Sequence, residues 1–142
     1  MSIELRVQNM QEVTDALRHF GQEAQAVVSQ AVQATALDVR GDIQRQIQRG
    51  PKTGRTYLRG SVSHRASAPG EAPATDTGFL ASSIAYRSTT AMSAVIESRL
   101  DYAYWLEFGT SKIAPRPSWT PAVERGGPRL QERVTSGLEG LL

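Results

Sequence analysis

The feature that most constrains this chain is a long stretch in which apolar residues recur every three or four positions, the spacing of one helix face. The stretch begins after Asn9, which can form a capping box with Glu12, and continues to about Gln48. At about 1.5 Å per residue, such a helix is longer than about 50 Å and exceeds the domain it belongs to. Because Gly21 and Gly41 each weaken a helix by up to about 1 kcal/mol, we expect it to break near Gly41 or to project towards a neighbour. The apolar stripe comprises Val13, Leu17, Phe20, Ala24, Val27, Val28, Ala31, Val32, Ala36, Val39, Ile43 and Ile47.

Three segments are predicted as strands. Near the N-terminus, apolar and polar residues alternate with period two, which is typical of a strand with one buried face. The apolar members of this alternation are Ile3, Leu5 and Val7. Residues 85–88 and 93–100 are predicted as two further strands joined at 89–92, and we expect Val95 and Ile96 to lie in the core.

Shorter helices are predicted later in the chain. Asp76 can cap one helical turn, and a second turn over 103–108 would end at Gly109. A C-terminal helical tail is predicted over about 118–142, with an interruption where two glycines and a proline occupy 126–128.

The chain is predicted to form one α+β domain over residues 1–142, because a single core suits this length and two do not. Residues 50–75 are rich in Gly, Pro, Ser and Thr and show no apolar period, so they read as a long loop or arm. Loops of that length in compact domains are usually functional or disordered.

Composition argues against several classes of function. Cysteine is absent, which excludes disulfides, thiolate nucleophiles and thiolate metal sites. The chain has no run of about 18 apolar residues and no basic-then-apolar start, so we expect neither a membrane span nor a secretory signal. His and Asp do not cluster at ligand spacing, so neither a metal nor a cofactor is expected.

Candidate catalytic residues are few. His64 follows Ser63, but neighbours in sequence do not make the spatial arrangement that nucleophilic catalysis needs. Asp101 and Glu107 are the nearest carboxylate pair. We favour a structural role for them over catalysis, in which Asp101 ends a strand and Glu107 accepts hydrogen bonds from backbone donors or from an arginine in the following loop. We predict that the protein is not an enzyme, and a small hydrolase would be revealed by an activity lost in His64→Ala.

The stretch 101–122 concentrates aromatic residues in a chain that is otherwise poor in them. Glycine and proline hold its backbone in one path, and large aromatics contribute much buried area in cores and interfaces. Of four aromatic residues in one predicted helical turn, we expect two or three in the core and at least one against a partner. These four are Tyr102, Tyr104, Trp105 and Phe108.

A basic arm begins at the end of the long helix, where seven Arg or Lys residues face Asp42 alone. The seven are Arg40, Arg45, Arg49, Lys52, Arg55, Arg59 and Arg65. Two interpretations of the six from Arg45 onward stay open. The arm pairs with acidic patches on adjacent subunits, or it binds nucleic-acid phosphates, in which case affinity falls steeply as salt rises.

Two motifs occur in order along the chain: ASAPGExP with DTGxLxxSI at 66–84, and YAxxxEFGT with RPxxxPA at 102–122. Together they resemble the signature of the gene-product-ten-like tail-component family of tailed bacteriophages, over about residues 3 to 125. One departure is Ser118-Trp119, where family members commonly carry Phe-Leu after the Arg-Pro pair.

The resemblance implies a long N-terminal helix and a C-terminal helix packed on a small antiparallel β-sheet, with a long extended loop. It also implies a structural virion protein for tail completion or head–tail joining, similar to minor tail protein Z, in a hexameric homo-oligomeric ring in the neck. Partners would be head-closure or connector proteins and tail terminator or tail tube proteins, with non-specific DNA contact in the lumen. The protein would reside in the virion, and in the host cytoplasm during assembly. The expected interface residues are Tyr102, Tyr104, Trp105, Glu107, Phe108, Gly109, Arg116, Pro117 and Trp119.

Overall fold

The computed structural model describes residues 1–6 and 8–142, except for the side chains of Met10 and residues 15–20. The predictions that fall outside this description concern Val7 and the side chains of Leu17 and Phe20. In chain order, the elements are β1 (Ser2–Arg6), α1 (Met10–Arg49), β2 (Thr56–Arg59), β3 (Val62–Arg65), α2 (Phe79–Ser82), β4 (Ile84–Thr90), β5 (Ser93–Ser98), α3 (Asp101–Phe108) and α4 (Trp119–Glu139). The predicted α+β class is confirmed.

Helix α1 is kinked at Gly21, one of the two glycines expected to weaken it, and it continues through Gly41. Of the two expected alternatives, the break near Gly41 is therefore wrong. Gly21 has φ +76° and ψ −158°, a conformation that residues with a Cβ avoid. Gly41 continues the helix because it lies between the fully buried Val39 and Ile43, where packing outweighs its low helix propensity. The predicted capping box does not form, since Asn9 is the N-cap residue but its side chain makes no cap hydrogen bond.

The main sheet is antiparallel with strand order β1-β5-β4, and α1 and the first turn of α4 cover one of its faces. Its core comprises Ala36, Val39, Ile43, Ile47, Ala81, Ile84, Ala94, Ile96, Trp119 and Ala122. Ile96 is fully buried, as predicted, whereas Val95 is only half-buried, so that prediction is wrong. Successive strand residues point to opposite faces, and only one face of β5 meets α1.

Helix α4 runs without interruption along α1, so the predicted break at 126–128 is wrong. A Cβ at Gly126 would lie 2.6 Å from Val39 Cγ2, which shows that the glycine permits the close approach of the two helices. Pro128 costs about 3 kcal/mol in a helix interior, and the apolar packing of α4 on α1 offsets it. The packed residues are Leu130, Val134 and Leu138 of α4 with Val13, Ala24, Val28 and Val32 of α1.

The arm contains a β-hairpin, although the absence of an apolar period predicted only a loop. Strands β2 and β3 pair antiparallel, and Gly60 takes φ +63° in the turn between them. The hairpin is separate from the main sheet, and neither strand contains a buried residue. Alternation appears in a sequence only when one face of a strand is buried, so this hairpin left no such signal.

Candidate subunit interface

The chain between β5 and α4 follows one defined path through α3 and its end. Helix α3 ends at Gly109, which has φ +76° and donates its backbone N–H to the Trp105 carbonyl oxygen at 2.8 Å. A Cβ at Gly109 would lie 2.8 Å from the Ile113 carbonyl oxygen, so only glycine fits here. The predicted helical turn ended by Gly109 is confirmed, and it starts at Asp101.

The Glu107 carboxylate caps the first turn of α4. It accepts hydrogen bonds from the backbone N–H groups of Ser118 at 2.8 Å, Trp119 at 3.0 Å and Thr120 at 2.7 Å. These N–H groups have no partner inside the helix, and a carboxylate also suits the positive end of the helix dipole. Glu107 is 4% exposed. Its function in the structure is therefore to fix α3 against α4.

Arg116 joins this region to the arm. Its Nη1 donates hydrogen bonds to the carbonyl oxygen and Oγ of the buried Ser67, and its backbone N–H donates to the Leu106 carbonyl oxygen at 2.6 Å. The Gly70 N–H donates in turn to the Pro115 carbonyl oxygen at 3.0 Å. The two family-like motifs are thus in direct contact.

The aromatic residues of α3 project outward. Exposed fractions are 39% for Tyr102, 53% for Tyr104, 52% for Trp105 and 56% for Phe108. The prediction that two or three of them lie in the core is wrong, because Ala103 and Glu107 occupy the buried side of the helix. The rings of Tyr104 and Phe108 contact each other with centroids 4.9 Å apart. We call these four residues the aromatic surface.

The nine residues expected at the interface therefore divide by burial. Glu107 and Trp119 are buried inside the subunit, while Gly109, Arg116 and Pro117 are half-buried and shape the loop. The remaining four form the aromatic surface, which a partner can reach.

Two cavities lie on opposite sides of α3. The first, the polar cavity, has a volume of about 380 Å³ and its lining includes Tyr57, His64, Tyr102, Leu106 and Arg116. The second, the apolar groove, has a volume of about 390 Å³ and its lining includes Ile3, Tyr104, Phe108, Val123 and Glu124. At 3.6 residues per turn, positions two apart on a helix differ by about 200°, which places the two cavities on opposite helix sides.

Most cations of the basic arm have partners within the chain. Lys52 Nζ donates to the carbonyl oxygens of Gln46 and Ala72, both at 3.0 Å, and burial lowers the pKa of Lys52. Arg59 forms an ion pair with Asp76. The prediction that Asp76 caps α2 is wrong, because α2 has no side-chain cap and Asp76 pairs with Arg59 instead.

The other arginines of the arm differ in their contacts. Arg40 Nε donates to the Ile84 carbonyl oxygen at 3.0 Å, and Arg45 pairs with Asp42. Arg65 Nε donates to the Gly54 carbonyl oxygen at 3.3 Å. In the part of the chain that the structure describes, the side chains of Arg49 and Arg55 form neither an ion pair nor a hydrogen bond, although the Arg55 carbonyl oxygen accepts from the Ala66 N–H at 3.0 Å.

Glu71 fixes the base of the arm, a role that the sequence analysis missed. Its carboxylate accepts hydrogen bonds from Thr53 Oγ1 at 2.6 Å, from Thr53 N–H at 2.8 Å and from Ala68 N–H at 2.8 Å. The Thr53 hydroxyl and these amides favour the ionised form and lower the pKa of Glu71 to about 2. Glu71 belongs to the first motif, but its spacing from Thr53 carries no sequence signal.

A row of arginines on α4 was also missed. Arg129 Nη1 lies 2.7 Å from Asp42 Oδ2, and Arg133 Nη2 lies 2.6 Å from Asp38 Oδ2. Burial alone would raise the pKa of Asp42, but hydrogen bonds from Arg45 and Arg129 outweigh it and lower that pKa. The four-residue spacing of both the arginines and the aspartates places each set on one helix face. That shared spacing is the signal that predicts their pairing.

His64 contacts groups that hold the hairpin. Its ring packs edge-on against Tyr57 with centroids 5.1 Å apart, and its Nδ1 lies 4.0 Å from Asp76. Ser63 directly precedes His64 in β3 and points to the opposite face, so the two side chains do not form a nucleophile–base pair.

The described residues hold neither a cluster of metal ligands nor a helix suited to a bilayer. Residues 1–6 and 8–142 contain no group of three His, Asp or Glu side chains that could hold a metal ion. Over the same residues, no helix combines the length and the apolar character that crossing a bilayer requires.

A comparison with protein families gives a match over much of the chain. The model of the HK97-gp10-like family, described as a bacteriophage HK97-gp10 tail component, matches residues 11–109. The matched region contains most of α1, the hairpin, two strands of the main sheet and all of α3. Searches of curated proteins and of solved structures returned no match.

Proposed function

The chain belongs to the HK97-gp10-like family of bacteriophage tail components, and we propose that it acts in tail completion, as a head–tail joining subunit. In this proposal, identical copies form a hexameric ring in the neck, at the head-proximal end of the tail. The ring contacts head-closure or connector proteins on one side and tail terminator or tail tube proteins on the other. Assembly takes place in the host cytoplasm.

The observation that carries this proposal is the aromatic surface. Four large aromatic side chains are exposed on a helix held by a buried carboxylate cap and a glycine stop. Tyr and Trp are enriched among the residues that dominate binding energy, and a surface that is already rigid loses little entropy on binding. Such a surface suits a protein whose function is to be bound by others.

Deletion of the gene from the phage tests the joining function. We expect filled heads and complete tails that accumulate separately in electron micrographs, and restoration of joined particles by the wild-type chain. Trp105→Ala should restore joining poorly. Leu37→Ala, which changes an exposed apolar residue of α1, should restore it fully. Joined, infectious particles without this chain would contradict the proposal.

Nucleic-acid binding by the basic arm is the second candidate function, and the unpaired Arg49 and Arg55 favour it. DNA in the lumen of a neck ring would lie near such an arm. Binding to random duplex DNA should then weaken steeply with salt, and Arg49→Ala with Arg55→Ala together should reduce the log–log slope by about two. An affinity that is insensitive to salt would remove this candidate.

A further inference from the structure

The outer face of the hairpin carries an exposed apolar residue beside a cation. Cross-strand pairs share a face, so Tyr57 and His64, which line the polar cavity, lie on the inner face. Leu58 and Arg65 therefore lie on the outer face. Leu58 is 75% exposed, and Arg65 forms no ion pair with any described residue. This face has an apolar centre and a positive flank.

The hairpin is tied to the rest of the chain both at its base and beside its turn, which follows Arg59. The Glu71 carboxylate and the ion pair between Arg59 and Asp76 hold it to the rest of the chain. Isolated two-stranded hairpins are marginally stable, and exposed leucine in such a hairpin gains stability from burial against another surface.

The apolar groove on the other side of α3 has the complementary character. Tyr104 and Phe108 form one wall, and Ile3 and Val123 contribute apolar surface from β1 and α4. Glu124 lines the groove, is exposed, and forms no ion pair among the described residues. The groove thus has an apolar centre and a negative flank.

We propose that the hairpin of one copy docks in the apolar groove of a second copy of this chain. Leu58 packs on Tyr104 and Phe108, and Arg65 approaches Glu124. Because the hairpin and the groove are different surfaces, the contact is heterologous, and its repetition closes a ring when the rotation allows it. The inference deepens the proposed function by naming the contact between subunits.

The position of the two surfaces supports a second copy as the occupant. The hairpin shares the polar cavity with Tyr102 and Leu106, on the side of α3 that faces away from the groove. The charge on each surface also matches that of the other. A chain therefore presents both halves of one contact on opposite sides of a single helix.

Cysteine cross-linking tests the contact, since the natural chain contains no cysteine. Two single variants, Leu58→Cys and Tyr104→Cys, are mixed and oxidised under mild conditions. We expect a disulfide-linked dimer containing one of each, and much less dimer from either variant alone. Mixing Leu58→Cys with Leu37→Cys is the matched control, because Leu37 is also exposed but lies outside both surfaces.

Charge exchange gives an independent readout. Arg65→Glu and Glu124→Arg should each weaken self-association about tenfold or more, and the double variant should regain most of it. Leu58→Ser should weaken self-association by a similar factor, whereas Leu37→Ser should not.

The outcomes separate this contact from the proposed function. A ring that forms without the 58–104 disulfide and without charge rescue overturns the docking contact and leaves the joining function standing. If particles that lack this chain are joined and infectious while the 58–104 disulfide forms, the joining function is overturned and the contact stands. Equal cross-linking of Leu58→Cys to Tyr104→Cys and to Leu37→Cys also overturns the contact.

Discussion

The α1–α4 pair and the β2–β3 hairpin are both antiparallel pairs of elements, but different interactions hold them together. Between the helices lie buried alanine and valine side chains, partly buried leucines, and glycines that allow close approach. The hairpin has no buried residue in either strand and depends on polar contacts. One pair is complete within the subunit, and the other exposes apolar side chains that a partner can cover.

The ion pairs of the two regions differ in the same way. The Asp42 side chain is 9% exposed and contacts Arg45 and Arg129, whereas Arg59 and Asp76 are 66% and 37% exposed. Exposed pairs contribute about 0–1 kcal/mol because water and salt screen them. The α1–α4 pair should therefore govern the global stability of the subunit, and the hairpin should govern association between subunits.

The largest expected effect comes from removing the carboxylate that caps α4. Glu107→Ala leaves three backbone N–H groups without their acceptor, and each buried, unsatisfied donor costs about 1–3 kcal/mol. We expect the free energy of unfolding to fall by about 3 kcal/mol or more, measured by urea denaturation. Glu132→Ala, at an exposed position of α4, should change it little. Equal stabilities of the two variants would show that the cap is unimportant.

The comparison of ion pairs is sharpened by two matched variants. Asp42→Ala should lower the free energy of unfolding by about 2 kcal/mol, since it removes two hydrogen bonds to charged groups. Asp76→Ala should lower it by less than about 1 kcal/mol. Urea denaturation of both variants checks which one loses more free energy of unfolding. A larger loss in Asp76→Ala would refute the claim that the α1–α4 pair governs global stability.

Glycine substitutions in α4 test the close approach of the helices. Gly126→Ala should lower the free energy of unfolding by about 1–2 kcal/mol, because the buried, β-branched Val39 cannot move aside. Gly127→Ala meets nothing within 4 Å and should raise it by up to about 1 kcal/mol. Thermal or urea unfolding measures both, and the two changes must have opposite signs.

The smallest effect concerns the base of the hairpin at low pH. The native state lowers the pKa of Glu71 from 4.5 to about 2, so the ionised carboxylate stabilises the folded chain. This contribution is complete above pH 4.5 and is lost as the pH falls towards about 2. The amide resonances of Thr53 and Ala68 should shift together with a midpoint near pH 2, and Glu71→Gln should abolish the titration. A midpoint near pH 4.5 would show that the hydrogen bonds from Thr53 and Ala68 do not stabilise the ionised Glu71 carboxylate.

The sequence predicted those parts of the fold in which one face of an element is buried. Regular apolar spacing indicated α1, and period-two alternation indicated β1. The hairpin was missed because both of its faces are exposed. The run at 126–128 was misread because Gly126 serves a contact with Val39 that lies far away in sequence.

The position of α3 and its end at Gly109 were predicted, but the burial of its side chains was not. The density of aromatic residues identified α3, and Gly109 identified its end. Which side of α3 is buried depends on Glu107, whose acceptance of the α4 amides was only one of several interpretations of the sequence. Because that carboxylate occupies the buried side, the aromatic residues face outward instead.

The mass of the purified protein in solution, measured by light scattering over a range of concentrations, tests the central claim most directly. The account predicts a discrete species near six times the 15.5 kDa chain for the wild type and for Leu37→Ser. It predicts smaller species for Leu58→Ser and Trp105→Ala at the same concentrations. A wild-type monomer at every concentration, or a ring that persists unchanged in Leu58→Ser, would contradict it.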